Sequence, residues 1–212
     1  MSKAAVNPLA RHGDVPGWFG KMPNVGDFVS RRLPHEFIHT WDEWLQSGMA
    51  RARTDLGEAW PARYLVAPVR RFWVAPGLLG ATAWAGVLMP SVDGVGRYFP
   101  LTIATAIPGH DLAAVLAASA WFRAIDAAGR KVLDVNFSAD DLESELAQIA
   151  PLPVEAPDDM RVRELAATWL APERAQRISL WWCGDARRPA QFDCFGSLPP
   201  AAAFGSLLLD PE

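Results

Sequence analysis

The sequence predicts an α+β domain with a mostly antiparallel central sheet of about five to six strands, flanked by helices over one or both faces. Two observations predict it. Strand-like segments follow one another in the first half with only turn residues between them; helical periodicities then come in a run, and a short hairpin returns near the end. The 212 residues are 50% hydrophobic and 21% charged, and ten of them are Trp, which supplies apolar side chain for one sizeable core. Residues 1–15 read as a mobile tail with Pro8 and Gly13 and no periodicity. Residues 16–212 read as a single domain, with Pro151 to Pro157 as its weakest point.

In chain order, the first strand is short, Trp18-Phe19-Gly20, and runs into the Gly/Pro-punctuated loop Lys21 to Asp27. Pro34, at a first helical position, opens a helix toward Arg53. Its Phe37, Trp41, Trp44 and Leu45 fall at i, i+4, i+7 and i+8, one face of a 3.6-residue period. Strands are expected over Val69 to Ala75, Ala81 to Met89 and Tyr98 to Ile107, separated by Pro76-Gly77 and by the turn-rich Pro90 to Gly96. Asp111 caps a helix from Leu112 to about Leu133, and Ser138 caps another with Leu142, Leu146 and Ile149 inward. A third helix follows Pro157 with Val162, Leu165 and Trp169 inward. Arg177 to Cys183 and Gln191 to Phe195 form a hairpin, and Pro199-Pro200 starts a last helix through Leu208. Adjacent Trp181 and Trp182 must point to opposite sheet faces. That strand is therefore covered on both sides or leaves one ring as a contact for a partner.

Composition removes several function classes. The net charge is -4, and the Arg pairs Arg31-Arg32, Arg70-Arg71 and Arg187-Arg188 are scattered, so a general nucleic-acid surface is not expected. The longest apolar runs fall short of the ~20 residues a bilayer needs, and the N-terminus lacks a secretory h-region. The expected location is cytoplasmic. Cys183 and Cys194 make no C-x-x-C pattern; they could face each other across the last hairpin, but two small thiols are the expected state.

His35-Glu36-Phe37-Ile38-His39 is a literal H-E-x-x-H. In the right context two His one turn apart ligate zinc while the Glu polarises the bound water, and Glu58, nineteen residues beyond His39, would be the third ligand of a zinc hydrolase. The context here is unfavourable. Pro34 confines the motif to the opening helical turn, and His35 lies about 160° around the helix from the core-facing Phe37. No phosphate loop, nucleophile elbow or dinucleotide fingerprint is present. Of the remaining histidines, His110 lies beside a helix cap, where a surface or capping role is expected. No cofactor, metal or catalytic residue is expected.

Two loops combine Gly and Pro with a few polar groups between apolar anchors: Gly20 to Phe28, and Met89 to Pro100. Asp93-Gly94 is a hairpin-turn pair, and Arg97 and Asp27 could serve as internal ion pairs or loop caps. Such loops equally carry binding surfaces.

These loops also carry a family likeness. Phe19-Gly20-Lys21-Met22-Pro23 with Gly26-Asp27-Phe28, then Trp41-Asp42-x-Trp44-Leu45, and above all the run Gly86 to Leu101, resemble the signatures of the TagF/ImpM family associated with type VI secretion. Ser179-Leu180-Trp181-Trp182 and Gly196-Ser197-Leu198-Pro199 echo it more weakly. The resemblance implies a cytoplasmic, non-enzymatic accessory protein of a Gram-negative secretion apparatus. It would act after translation, in some relatives through an FHA-domain scaffold. Some relatives carry a fused phosphatase domain, which is not expected here. Lys21, Asp27, Asp42, Ser91, Asp93 and Arg97 match the family's polar positions. They form the expected partner-binding set, in which charge reversal at Asp93 or Arg97 should weaken binding without altering the thermal midpoint.

Overall fold

A computed structural model describes residues 15–107, 111–155, 158–169, 177–184 and 192–209. The sheet has seven strands: β1 (Gly17–Gly20), β2 (Val29–Arg31), β3 (Arg70–Val74), β4 (Ala83–Met89), β5 (Leu101–Ile107), β6 (Ser179–Trp182) and β7 (Asp193–Phe195). Their order is β2-β1-β5-β4-β3-β6-β7, and every neighbouring pair is antiparallel. The helices are α1 (His35–Leu56), α2 (Trp60–Leu65), α3 (Leu112–Ala117), α4 (Ser119–Lys131), α5 (Ala139–Leu146), α6 (Met160–Trp169) and α7 (Ala201–Leu209). The α+β class and the antiparallel sheet are as the sequence predicts, with seven strands rather than five to six.

The additional strand is β2. It has three residues, none of them buried, so it shows no apolar alternation and reads as part of the link to Pro34. It forms an edge of the sheet, pairing Trp18 with Arg31 and Gly20 with Val29.

Side chains alternate across the sheet and meet helices on both faces. Phe72, Trp84, Leu88 and Trp181 pack with Phe37, Trp41, Trp44 and Leu45 of α1, Tyr64 of α2 and Phe204 of α7. Trp73, Val87, Ile103 and Trp182 pack with Leu116 of α3, Phe122 and Ile125 of α4, Leu142 of α5 and Ala166 of α6. The result is a three-layer arrangement with a core on each side of the sheet.

That layering settles the Trp pair. Trp181 is 0% and Trp182 1% exposed. Trp181 lies among Trp41, Trp44 and Phe72, with centroids 5.9, 5.2 and 5.4 Å away, while Trp182 meets Phe122 at 5.3 Å. Of the two expected alternatives, coverage on both sides holds, and neither ring is left as a contact for a partner. Two buried indoles of the α1 layer find acceptors: Trp41 donates to the Thr102 hydroxyl at 2.8 Å and Trp44 to the Pro199 carbonyl at 2.8 Å.

Two helix caps are as expected. The Asp111 carboxylate accepts from the Ala114 N–H at 3.0 Å, and Ser138 forms a capping box with Asp141. The helix expected from Leu112 to about Leu133 is interrupted. Ala118 leaves helical geometry at ψ 37°, and α4 starts one residue later. The segment Ala117-Ala118-Ser119 contains no helix breaker, and packing of both halves against one sheet face imposes the change of direction. Of the expected tail of residues 1–15, Val15 packs against the core, while residues 1–14, His110, Pro157 and the turn of the last hairpin lie outside the described residues. The register of β6 and β7 places Cys194 opposite Leu180, not opposite Cys183.

Candidate functional site

The two signature loops meet at one end of the sheet, where β1 runs out at Gly20 and β4 turns into β5. Gly20 has φ +145°, and a Cβ there would stand 2.2 Å from the Pro100 carbonyl oxygen, so only glycine lets the two loops approach so closely. The Ser91 hydroxyl donates to the Lys21 carbonyl at 2.7 Å, and the Gly94 N–H donates to the Val25 carbonyl at 3.2 Å.

Asp93 is the hub of the junction. Its Oδ2 accepts from Lys21 Nζ at 2.8 Å and from Arg97 Nε at 2.6 Å, and its Oδ1 accepts the Val95 and Arg97 N–H groups at 3.1 and 2.8 Å. The side chain is 0% exposed. Burial pushes the Asp93 carboxyl up, but the bonds from Lys21, from the Arg97 backbone and side chain, and from Val95 outweigh it and hold the group well below the usual carboxylate range. Lys21 is likewise buried, with its ammonium 4.9 Å from the centre of the Phe28 ring. Phe28 packs against Phe19 and Phe99 at 5.8 and 4.7 Å.

Of the six predicted residues, Lys21, Ser91, Asp93 and Arg97 form this one cluster. Asp27 lies at its rim: the neighbouring Gly26 carbonyl accepts from Arg97 Nη2 at 2.6 Å, while the Asp27 carboxylate accepts the Phe28 N–H at 2.7 Å. Asp42 stands apart on α1. Its bond from Gln46 at 2.6 Å stays on the same helix, and burial pushes its carboxyl up. Charge reversal at buried Asp93 would leave Lys21 and Arg97 without their shared anion, so that variant tests the fold rather than a surface. Arg97, with 61% of its side chain exposed, is the member of the cluster that reaches solvent.

Sequence reasoning missed Tyr64. Its hydroxyl donates to the Ser91 carbonyl at 3.0 Å and accepts the Ser91 N–H at 3.1 Å, and burial pushes the phenol up. A signal existed: the chain has only two Tyr beside ten Trp and ten Phe, and Tyr is retained where a hydroxyl needs a partner. Both Tyr are here, with Tyr64 and Tyr98 rings 5.3 Å apart. Also missed was a second ionic clamp, in which Glu143 of α5 accepts from Arg32 and from the Trp18 indole. Arg32 holds a left-handed φ of 60° while making it.

Beside the cluster runs an open groove of about 670 Å³, lined by Arg53, Glu58, Trp60 and Pro61 on one side and Arg97 and Tyr98 on the other. The Arg53 guanidinium lies 5.6 Å from the Trp60 ring centre. A second cavity, between Tyr64 and Phe204, holds about 10 Å³, room for one water.

His35, Glu36 and His39 are exposed on the first turn of α1. His39 lies 3.6 Å from the Glu43 carboxylate, and the Glu36 carboxylate sits beside Gly80. Glu58 lines the groove. Among the described residues, no group of three or more His, Cys, Asp or Glu is placed to hold a metal ion, and no helix is long and apolar enough to cross a membrane.

Comparison with known proteins places these features in a family. No curated protein sequence matches. Among solved structures, PA0076 from Pseudomonas aeruginosa PAO1 is 38% identical, with a TM-score of 0.78 over 93% of this chain and 96% of that one. Residues 17–149, which include both signature loops and the Asp93 cluster, match the model of the TagF N-terminal domain, described as type VI secretion system-associated. The chain therefore belongs to the TagF N-terminal domain family and has an accessory role in type VI secretion.

Proposed function

We propose that this protein is a non-enzymatic regulator of the type VI secretion apparatus that restrains assembly or firing after translation by binding other components of the machine. The observation that carries the reading is the chemical state of the signature loops. The buried polar side chains of the junction are committed to internal partners, and the exposed Asp27 carboxylate at its rim accepts the Phe28 N–H. Asp93 accepts four hydrogen bonds, Lys21 is paired with it, and the Ser91 hydroxyl is bonded to a backbone carbonyl. Such a cluster is suited to fixing the shape of a surface rather than to performing chemistry. The partners in this reading are an FHA-domain scaffold and other secretion components, met in the cytoplasm.

Tagged full-length protein captured from its native cytoplasm and analysed by mass spectrometry tests this. Recovery of an FHA-domain scaffold, or of baseplate and membrane-complex subunits, is expected. Recovery of no secretion component would contradict it.

A further inference from the structure

We propose that the groove between the end of α1, α2 and the Asp93–Arg97 turn is the docking site for an acidic, carboxylate-bearing segment of a partner protein. The inference rests on the reading that this protein acts by binding partners, and it names the chemistry of one partner surface.

Charge carries the argument. One buried carboxylate, Asp93, serves two cations, Lys21 and Arg97. Lys21 is enclosed with only 7% of its side chain exposed, so the uncompensated charge of the trio is delivered to the surface by Arg97. Arg53, across the groove, has no carboxylate partner among the described residues, and its guanidinium rests against the Trp60 ring. Against these two positive contributions the groove sets a single acid, Glu58. A protein with net charge -4 thus presents a locally positive channel, which steers and holds an anionic chain.

The groove is also preorganised. Arg97 Nε and Nη2 are anchored on Asp93 and the Gly26 carbonyl, which fixes the guanidinium plane before any ligand arrives and lowers the entropic cost of binding. Trp60 and Tyr98 supply aromatic walls, and the buried Trp60 indole N–H has no hydrogen-bond partner among the described residues. A groove of about 670 Å³ admits a few side chains of an extended peptide rather than a single ion.

The test titrates the isotope-labelled full chain with an acetylated, amidated Glu-rich peptide and with the same peptide carrying Gln for every Glu. Expected are shifts of the Trp60 indole and Arg97 Nε–H resonances with the Glu-rich peptide only, and weakening that grows with salt. Arg53→Glu should weaken the peptide about tenfold, whereas Glu58→Gln should tighten it about threefold, a gain that no folding defect can mimic. Equal binding of the Gln peptide, or an affinity indifferent to Arg53→Glu, would overturn the proposal. So would tighter binding of inorganic phosphate at the same resonances. Capture from native cytoplasm separates the two readings. If wild type and Arg53→Glu recover the same secretion components, the groove assignment falls while the regulatory reading stands. If wild type recovers none, the regulatory reading falls and the peptide titration still decides the groove.

Discussion

Asp93 is the residue on which the two signature loops converge, and its chemistry makes a pH-dependent prediction. Its carboxyl lies well below the usual range because Lys21, Arg97 and Val95 all donate to the ionised form, against the opposing effect of burial. A group depressed in the folded state contributes stability that is fully present above its unfolded value, about 3.9, and is lost as the pH falls below that value toward the folded one. Asp93→Asn should therefore lower the urea midpoint near neutrality, because it leaves Lys21 and Arg97 facing a neutral amide. It should also flatten the fall in midpoint between about pH 4 and pH 2 relative to wild type. Urea titrations across that range check both. The place of Asp93 and Arg97 among glycines and prolines was legible in the sequence, as was Arg97 as a candidate internal ion pair, but Asp93 as the anion shared by two cations was not. The run from Pro90 to Pro100 does not reveal that Lys21, far away in sequence, supplies the second cation. That pairing follows only from the neighbouring of β1 and β5, a contact no local pattern encodes.

Among the elements, α1 was legible because Phe37, Trp41, Trp44 and Leu45 recur at helical spacing, and β3, β4 and β5 because turn residues bracket them. Two departures have physical causes. β2 is too short and too exposed to show a period, and the break between α3 and α4 arises from packing at residues with high helix propensity. The contact of α1 with α7 was also hidden. It depends on Gly48, where a Cβ would stand 2.1 Å from the Phe204 ring. Gly48 lies mid-helix, where Ala is normally favoured by up to about 1 kcal/mol. Here Gly48→Ala should instead destabilise by about 1–3 kcal/mol, because the helices must separate or Phe204 must leave its rotamer. A lower chemical-denaturation midpoint at unchanged m-value is the expected observation; a stabilised variant would show that the helices can part at no cost.

For the whole molecule, helices on both faces of the sheet leave its broad surfaces unavailable. The surface that remains distinctive is the sheet end where the signature loops, the groove and both tyrosines meet. Its buried ion cluster is suited to holding a fixed surface for another protein, and the family places the chain with the type VI secretion machinery. The central claim, that the protein restrains that machinery, is tested most directly by measuring type VI secretion in a strain lacking this chain, under conditions in which the parent strain is quiet. The account predicts that secretion rises in the deletion strain and returns to baseline when the wild-type chain is supplied. Secretion that stays silent, and that cannot be induced without the chain, would contradict it and mark the protein as a structural part of the apparatus.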